Sequence, residues 1–247
     1  MPAPYHRPLS PNRQIRGLLA EIRAEWLAGL SWIYPEICQV CFSRRASSEA
    51  GFVCAPCQVT AAWIPQYASS NSPLRLPAGT RSASVRSALW NRGAPKVALK
   101  AYKYNGARCF EPYFDRLIGE WLELCDLNDN WDGIIPVPIS SRREIRRGFN
   151  QSKEIARSIS ARLSIPLKDR VLRRTHTRPQ AGLSRSERAS NLNNAFFLRP
   201  RSEPIRGAAF LIFDDVFTTG ATIEACAEAL IRGGAERVAG LTLLKER

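Results

Sequence analysis

No apolar run in the 247 residues approaches the ~18 that a membrane-spanning helix needs. The first residues, "MPAPYHRPLSPNRQIRG", carry positive charge but no continuous apolar stretch, so they do not form a secretory leader. Membrane insertion and export are therefore not expected, and the sequence reads as cytoplasmic. Tryptophan and tyrosine are missing from everything after residue 131: all six of each lie at or before Trp131. No internal repeat is present, which excludes solenoids and propellers. No G-x4-G-K-[ST] stretch occurs, which excludes a P-loop nucleotide site. No His, Cys or Lys is placed as an obvious nucleophile, so no catalytic residue is assigned.

Basic charge is present in excess. The chain has 36 Lys/Arg against 22 Asp/Glu, a net charge of +14. Between Arg142 and Arg206 there are 17 Lys/Arg and 5 Asp/Glu, so this stretch holds +12 of the total. The stretch is either a solvated basic face or a surface for polyanions, and composition alone leaves both open.

Apolar residues make up 45% of the chain, enough for a sizeable core. Residues 1–35 hold a Pro-rich tail and then an amphipathic helix, with Ile15, Leu18, Leu19, Ile22, Trp26, Leu30 and Ile33 near one face. Residues 36–64 contain four of the seven cysteines. Residues 65–130 begin with a linker, "PQYASSNSPLRLPAGT", and continue as a strand followed by two helices, a hood-like segment. From 131 to 247 strands and helices alternate: "DGIIPVP", "NQSKEIARSISARL", "RVLRR", "AAFLIFDD", "TIEACAEALIRGG", "RVAGLTLLK". Such alternation predicts an α/β domain, a parallel sheet flanked by helices. Gly233 and Gly234 are expected to end the last helix in the left-handed conformation.

The cysteines form C-x2-C-x12-C-x2-C: Cys38, Cys41, Cys54 and Cys57. Each C-x2-C supplies two thiolates from one tight turn, and two such knuckles give zinc its four tetrahedral ligands. Two disulfides are the alternative; the absence of a leader favours structural zinc in a small ribbon.

The stretch "LIFDDVFTTGAT", Leu211 to Thr222, joins a strand to a helix through small residues. The free N–H groups and dipole of a helix start favour an anion such as phosphate. Gly220 would let the backbone approach it, with Thr218, Thr219, Ala221 and Thr222 completing the cradle. Asp214 and Asp215 precede this cradle at the carboxyl end of the strand, where open α/β sheets bind ligands. Two carboxylates suit a vicinal diol, with or without a divalent metal. Phosphate beside a diol describes a ribose 5-phosphate.

That stretch resembles the phosphoribosyl pyrophosphate (PRPP) motif of type I phosphoribosyltransferases. Together with "DGIIPVPISSRREIRRGFNQS", "THTRPQAGLSRSERASNLNNAF", "LKAYKYNG" and the four-cysteine start, it makes roughly residues 30–247 similar to the ComF family, the competence protein F group. The resemblance implies a zinc ribbon ahead of a type I phosphoribosyltransferase-like core. It also implies a role in DNA uptake during natural transformation beside a helicase-like competence partner. Asp214 and Asp215 would hold the ribose hydroxyls and Mg2+, and Thr218 to Thr222 the 5-phosphate. The loop from Val137 to Asn150, with Val137, Pro138, Ile139, Arg142, Arg143, Arg146 and Arg147, would hold pyrophosphate. A mobile loop over 173–194 would bring Arg178, Gln180, Arg185 and Arg188. Since the last strand runs to the C-terminus, the acceptor would be read by Trp90, Tyr102, Lys103 and Tyr104. Three functions are expected: phosphoribosyl transfer to an unnamed acceptor, single-stranded DNA binding through the basic 142–206 stretch and the N-terminal aromatics, or an adaptor that senses PRPP through a retained fold while the zinc ribbon docks a partner.

Overall fold

The computed structural model describes residues 36–65, 71–76, 84–125, 127, 130–175, 195–200 and 204–246. The expected amphipathic helix over 14–33 and most of the expected mobile loop, including Arg178, Gln180, Arg185 and Arg188, lie outside these residues.

The strands are β1 (Ser72–Pro73), β2 (Ser84–Trp90), β3 (Gly133–Pro136), β4 (Leu172–Arg174), β5 (Phe196–Leu198), β6 (Ala209–Phe217) and β7 (Arg237–Lys245). The helices are α1 (Ala55–Gln58), α2 (Gly93–Asn105), α3 (Glu111–Leu124), α4 (Ser141–Arg147), α5 (Gln151–Leu163) and α6 (Ala221–Arg232). A five-stranded sheet runs β1-β2-β7-β6-β3. Its β2–β7, β7–β6 and β6–β3 pairs are parallel, and only the edge pair β1–β2 is antiparallel. The mixed α/β architecture with a mostly parallel sheet agrees with the alternating pattern.

The inner strand β6, between β7 and β3, is buried because helices cover both faces of the sheet. Leu211 and Phe213 pack with α2, α3 and α5 around Tyr113, Phe114, Trp121 and Ile159. Phe210 and Ile212 pack on the other face with α6 and with Leu172 and Phe196 of β4 and β5. A strand buried on both sides reads as an unbroken apolar run, and Phe210 to Phe213 is such a run.

Several details depart from the sequence reading. "RVLRR" does form a strand, but β4 pairs antiparallel with β5 in a separate two-stranded sheet. Ser72–Pro73, inside the expected linker, pairs antiparallel with β2, and Leu74 is buried. Proline lacks the ladder donor, and an edge strand tolerates that. Of the two glycines after α6, Gly234 has φ +97°, whereas Gly233 has φ −79°. Gly233 answers to packing instead: a Cβ there would lie 2.3 Å from Leu198 Cδ1. The strand β2, within residues 65–130, pairs with β7 in the same sheet as β6, so the sheet takes strands from both sides of residue 131.

The cysteine-bearing segment docks on this unit. Thr60 Oγ1 accepts the Ala94 N–H at the start of α2 (2.8 Å), and Arg116 of α3 donates to Gln58 Oε1 (2.7 Å). Ile64 N–H donates to Ala88 O (3.0 Å), and Val53 is buried in the core formed with α2, α3 and α5. Among the described residues no helix is long and apolar enough to cross a membrane.

Candidate functional site

The acid pair belongs to β6, which continues to Phe217 rather than ending at Asp215. Asp214 is half-buried, and Asp215 is 5% exposed. Next to them, β3 gives way to Val137, whose N–H still donates to Phe213 O (2.8 Å). The chain then makes the seven-residue helix α4 where the sequence suggested an irregular loop. Gly148, at φ +77°, ends α4, and Asn150 closes the segment. Asn150 Oδ1 caps α5 by accepting from Ser152 N–H (3.0 Å), while its Nδ2 donates to Val137 O (3.1 Å). One side chain thus starts a helix and ties the two ends of the Arg-bearing segment together.

The first two residues of α5 reach the acids. Gln151 Nε2 donates to Asp215 Oδ2 (2.8 Å), and Ser152 Oγ donates to Asp214 Oδ1 (3.3 Å). From α2, Lys103 Nζ lies 2.6 Å from Asp215 Oδ1. Arg147 Nη1 donates to Gln151 Oε1 (2.9 Å), which fixes which way the Gln151 amide faces. The Arg147 guanidinium sits 5.3 Å from the centroid of the Tyr104 ring, which is 66% exposed. Arg147 Nε is buried with no acceptor among the described residues.

These groups border a cavity of about 270 Å³. Its lining includes five cations, Lys103, Arg143, Arg146, Arg147 and Arg174, against two carboxylates, Asp214 and Asp215. Burial, then the Asp215 charge, push the Asp214 pKa up to about 7. Burial lowers the pKa of Arg174, and Arg143 lowers it further. Burial also lowers that of Arg147, with Arg143 and Arg146 adding to the effect. Cations crowded in this way are relieved by an anion, and several together suit a multiply charged one.

The structure places the expected site residues unequally. Val137, Pro138, Ile139, Arg146, Arg147, Lys103, Tyr104, Asp214, Asp215 and Thr222 all line the cavity. Thr218 and Thr219 are exposed in the turn ahead of α6; Gly220, at φ +85°, supplies its N-cap, and the Ala221 N–H donates to Thr219 Oγ1 (3.5 Å). Arg142 is exposed on α4 outside the lining, and Arg143 is inside it. Trp90 also lies outside the lining, on β2, two strands from β6, or about 10 Å. Tyr102 is fully buried: its ring packs on Phe114 and Phe149, and its hydroxyl donates to Glu111 (3.0 Å). Gln151, Ser152 and Arg174 were not singled out in the sequence. Only the position of Gln151 and Ser152 directly after a capping asparagine could have pointed to them.

A larger groove, about 490 Å³, lies between α3 and α5. Its one arginine, Arg157, is already paired with Glu154, and Glu111 and Asp115 add negative charge. It lacks the cation cluster of the smaller cavity.

The four cysteine sulfurs all lie within 4.8 Å of one another, and Cys41 Sγ is 3.8 Å from Cys54 Sγ. Metal–sulfur bonds of about 2.3 Å in a tetrahedron separate sulfurs by about 3.8 Å, so the cluster fits a metal ion. The Cys54 N–H donates to Cys38 Sγ (3.4 Å), so the backbone of one knuckle orients a ligand of the other. No disulfide links the cysteines.

A mostly parallel sheet, paired acids near the end of its inner strand β6 and a cation-lined cavity beside them define an α/β domain with a candidate anion site. Residues 146–247 match the phosphoribosyl transferase domain family. The chain is 36% identical over 108 residues to competence protein F of Haemophilus influenzae, a stretch covering 43% of this chain and 47% of that protein. It is 42% identical over 108 residues to the DNA utilization protein YhgH of Escherichia coli O157:H7 (43% and 46%). It is 30% identical over 113 residues to the competence protein ComFC of Bacillus subtilis (45% and 44%). The chain is thus a homologue of the competence protein F group, with a phosphoribosyltransferase-like domain. The matched stretch spans about half the length of these relatives.

Proposed function

We propose that this protein binds PRPP or a closely related ribose phosphate together with Mg2+, and that it serves DNA uptake in natural transformation. The observation that carries this reading is the union, in one cavity, of Asp214 and Asp215 with five cations and the start of α6. Carboxylate oxygens are hard donors that suit Mg2+ and ribose hydroxyls. The turn Thr218–Thr222 would take the 5-phosphate, and Arg143, Arg146, Arg147 and Arg174 the pyrophosphate. Transfer to an acceptor would proceed by positioning and charge stabilisation. Lys103 and Tyr104 are the acceptor-side residues nearest the acids. Zinc, held by Cys38, Cys41, Cys54 and Cys57, would be structural, because four thiolates leave no open position. The division into ribbon (36–64), linker and hood (65–130) and core (131–247), the cytoplasmic setting and the helicase-like partner belong to the same proposal. The role in transformation rests on the names of the homologues.

Calorimetric titration with PRPP, with and without Mg2+, tests the reading. Saturable binding that strengthens with Mg2+ and is lost in Asp214→Asn/Asp215→Asn supports it. Equal affinity in the wild type and the double variant would mean that the acids serve the fold.

A second reading draws on Tyr104 and Arg147. An exposed ring backed by a guanidinium, at the mouth of a basic cavity, is also a platform for stacking a base of single-stranded DNA.

A further inference from the structure

The cations of the cavity do not all do the same thing. The four arginines come from α4 and β4, and three of them lie within five residues of α4. Lys103 comes from α2, and it is committed to one carboxylate oxygen, Asp215 Oδ1, at 2.6 Å. The other oxygen of Asp215 is held by Gln151, which is itself fixed by Arg147. Both oxygens of Asp215 are therefore occupied, one by a rigid amide and one by a flexible ammonium.

A divalent cation that uses Asp215 needs one of those oxygens. Gln151 is anchored through its other amide atom, and moving it would also strip Arg147 of a partner. Lys103 is tethered only by its four-carbon stem, and its side chain is 17% exposed on the cavity wall. Lysine is a point charge whose donors rotate freely, so it can change partner without the geometric loss that a bidentate arginine suffers.

We infer that Lys103 is the resident counter-ion of the acid pair: it holds the place of the divalent metal on Asp215 while the cavity is empty, and passes to the phosphate oxygens of the ligand when metal enters. This rests on the reading of Asp214 and Asp215 as the Mg2+ and ribose site. The consequence is coupling. Metal arriving alone must evict an ammonium into a cavity already crowded with arginines, and it binds weakly. Metal arriving with a phosphorylated ligand leaves the displaced ammonium an anion to pair with. Each ligand then raises the affinity of the other by the same factor. Asp215 is never left as an uncompensated charge at 5% exposure.

The test uses the full chain and Mn2+ as the metal probe, with the free ion counted by electron paramagnetic resonance. Without PRPP, Lys103→Met should bind Mn2+ about tenfold more tightly than wild type, because the competing charge is gone. Lys103→Arg should keep the weak wild-type affinity. Lys100→Met, an exposed lysine on the same helix, should leave it unchanged. Adding Asp215→Asn to Lys103→Met should abolish the gain. With PRPP present, Mn2+ affinity should rise in wild type and rise less in Lys103→Met. An unchanged Mn2+ affinity in Lys103→Met would make Lys103 a structural staple and overturn the inference. An equal gain in Lys100→Met would assign the effect to net charge and overturn it as well. If PRPP leaves Mn2+ binding unaffected in wild type while Lys103→Met still gains, the ribose phosphate reading falls and the counter-ion assignment stands.

Discussion

Lys103 on α2 and Asp215 on β6 are 112 positions apart in sequence and 2.6 Å apart in the structure. The pair fastens the helical cover to the C-terminal part of β6, with side-chain exposures of 17% and 7%. A pair this dry costs more to break than a surface pair, because the survivor stays charged and poorly hydrated. Lys103→Met should therefore lower stability in urea by about 1–3 kcal/mol while leaving the protein folded at 25 °C. The loss should be several times that of Lys100→Met. Equal losses in the two variants would place the Lys103 ammonium in water.

Asp214 gives a stability profile with a definite sign. Its pKa is pushed up to about 7 by burial and by Asp215. An unfolded aspartate titrates near 3.9. Between these values the native state holds a proton that the unfolded state has released, so stability falls as pH rises from about 4 to 7. Asp214→Asn cannot lose that proton. The variant should match wild type near pH 4, gain on it up to about pH 7 and level off above, at about 2 kcal/mol once solvent screening is allowed for. Thermal unfolding of the ligand-free proteins at pH 4, 6 and 8 reads this directly. A constant difference across that range would mean that Asp214 is ionised throughout.

The way these residues meet explains how much the sequence disclosed. Phe210 to Phe213 could be read as a covered strand because helices on both faces demand apolar side chains at every position. The cysteine cluster was legible for a similar reason: a tight turn fixes the spacing of its ligands. The helix α4 was not legible, since "SRREIRR" has one apolar residue, Ile145, and that residue is 85% exposed. The partners of Asp215 were hidden as well. Gln151 and Lys103 come from two different helices, and nothing in local periodicity records which strand a helix will cover. Arg174 entered the cavity because β4 left the main sheet to pair with β5, a choice set by tertiary packing.

The cysteine segment should matter to the rest of the fold. Purified protein should carry about one zinc per chain, and Cys38→Ser/Cys54→Ser should lose it. Because Val53 is part of the core formed with α2 and α3, loss of metal should also lower the melting temperature of the whole chain. Gly51 tests the same junction without touching a ligand. It has φ +61°, and a Cβ there would lie 2.6 Å from the backbone nitrogen of Tyr113. Gly51→Ala should cost at least about 2 kcal/mol, from left-handed strain and from forcing the segment off α3. Zinc content measured by mass spectrometry should stay at about one per chain. Loss of zinc in Gly51→Ala would mean that docking on α3 is what holds the cluster together.

Arg146 and Arg147 separate the two readings of the cavity. Both line it, while Arg142, on the same helix, does not. If single-stranded DNA uses this surface, each phosphate contact contributes about −0.7 to the slope of log affinity against log salt. Arg146→Ala/Arg147→Ala should then flatten the slope by roughly 1 to 1.5, and Arg142→Ala should change it by less than about 0.5. The same double variant should weaken PRPP binding at least tenfold, about 1.4 kcal/mol, since these donors would lie on the pyrophosphate. PRPP with Mg2+ should also compete with DNA, because the exposed Tyr104 ring and the arginine beside it cannot serve both ligands at once. Fluorescence anisotropy of a labelled oligonucleotide, titrated with PRPP at fixed salt, measures that competition. Displacement would make the cavity a shared site in which the ribose phosphate level controls DNA release. Simultaneous binding with an unaltered slope in the double variant would move the DNA surface elsewhere on the basic stretch and leave this cavity to the ribose phosphate alone.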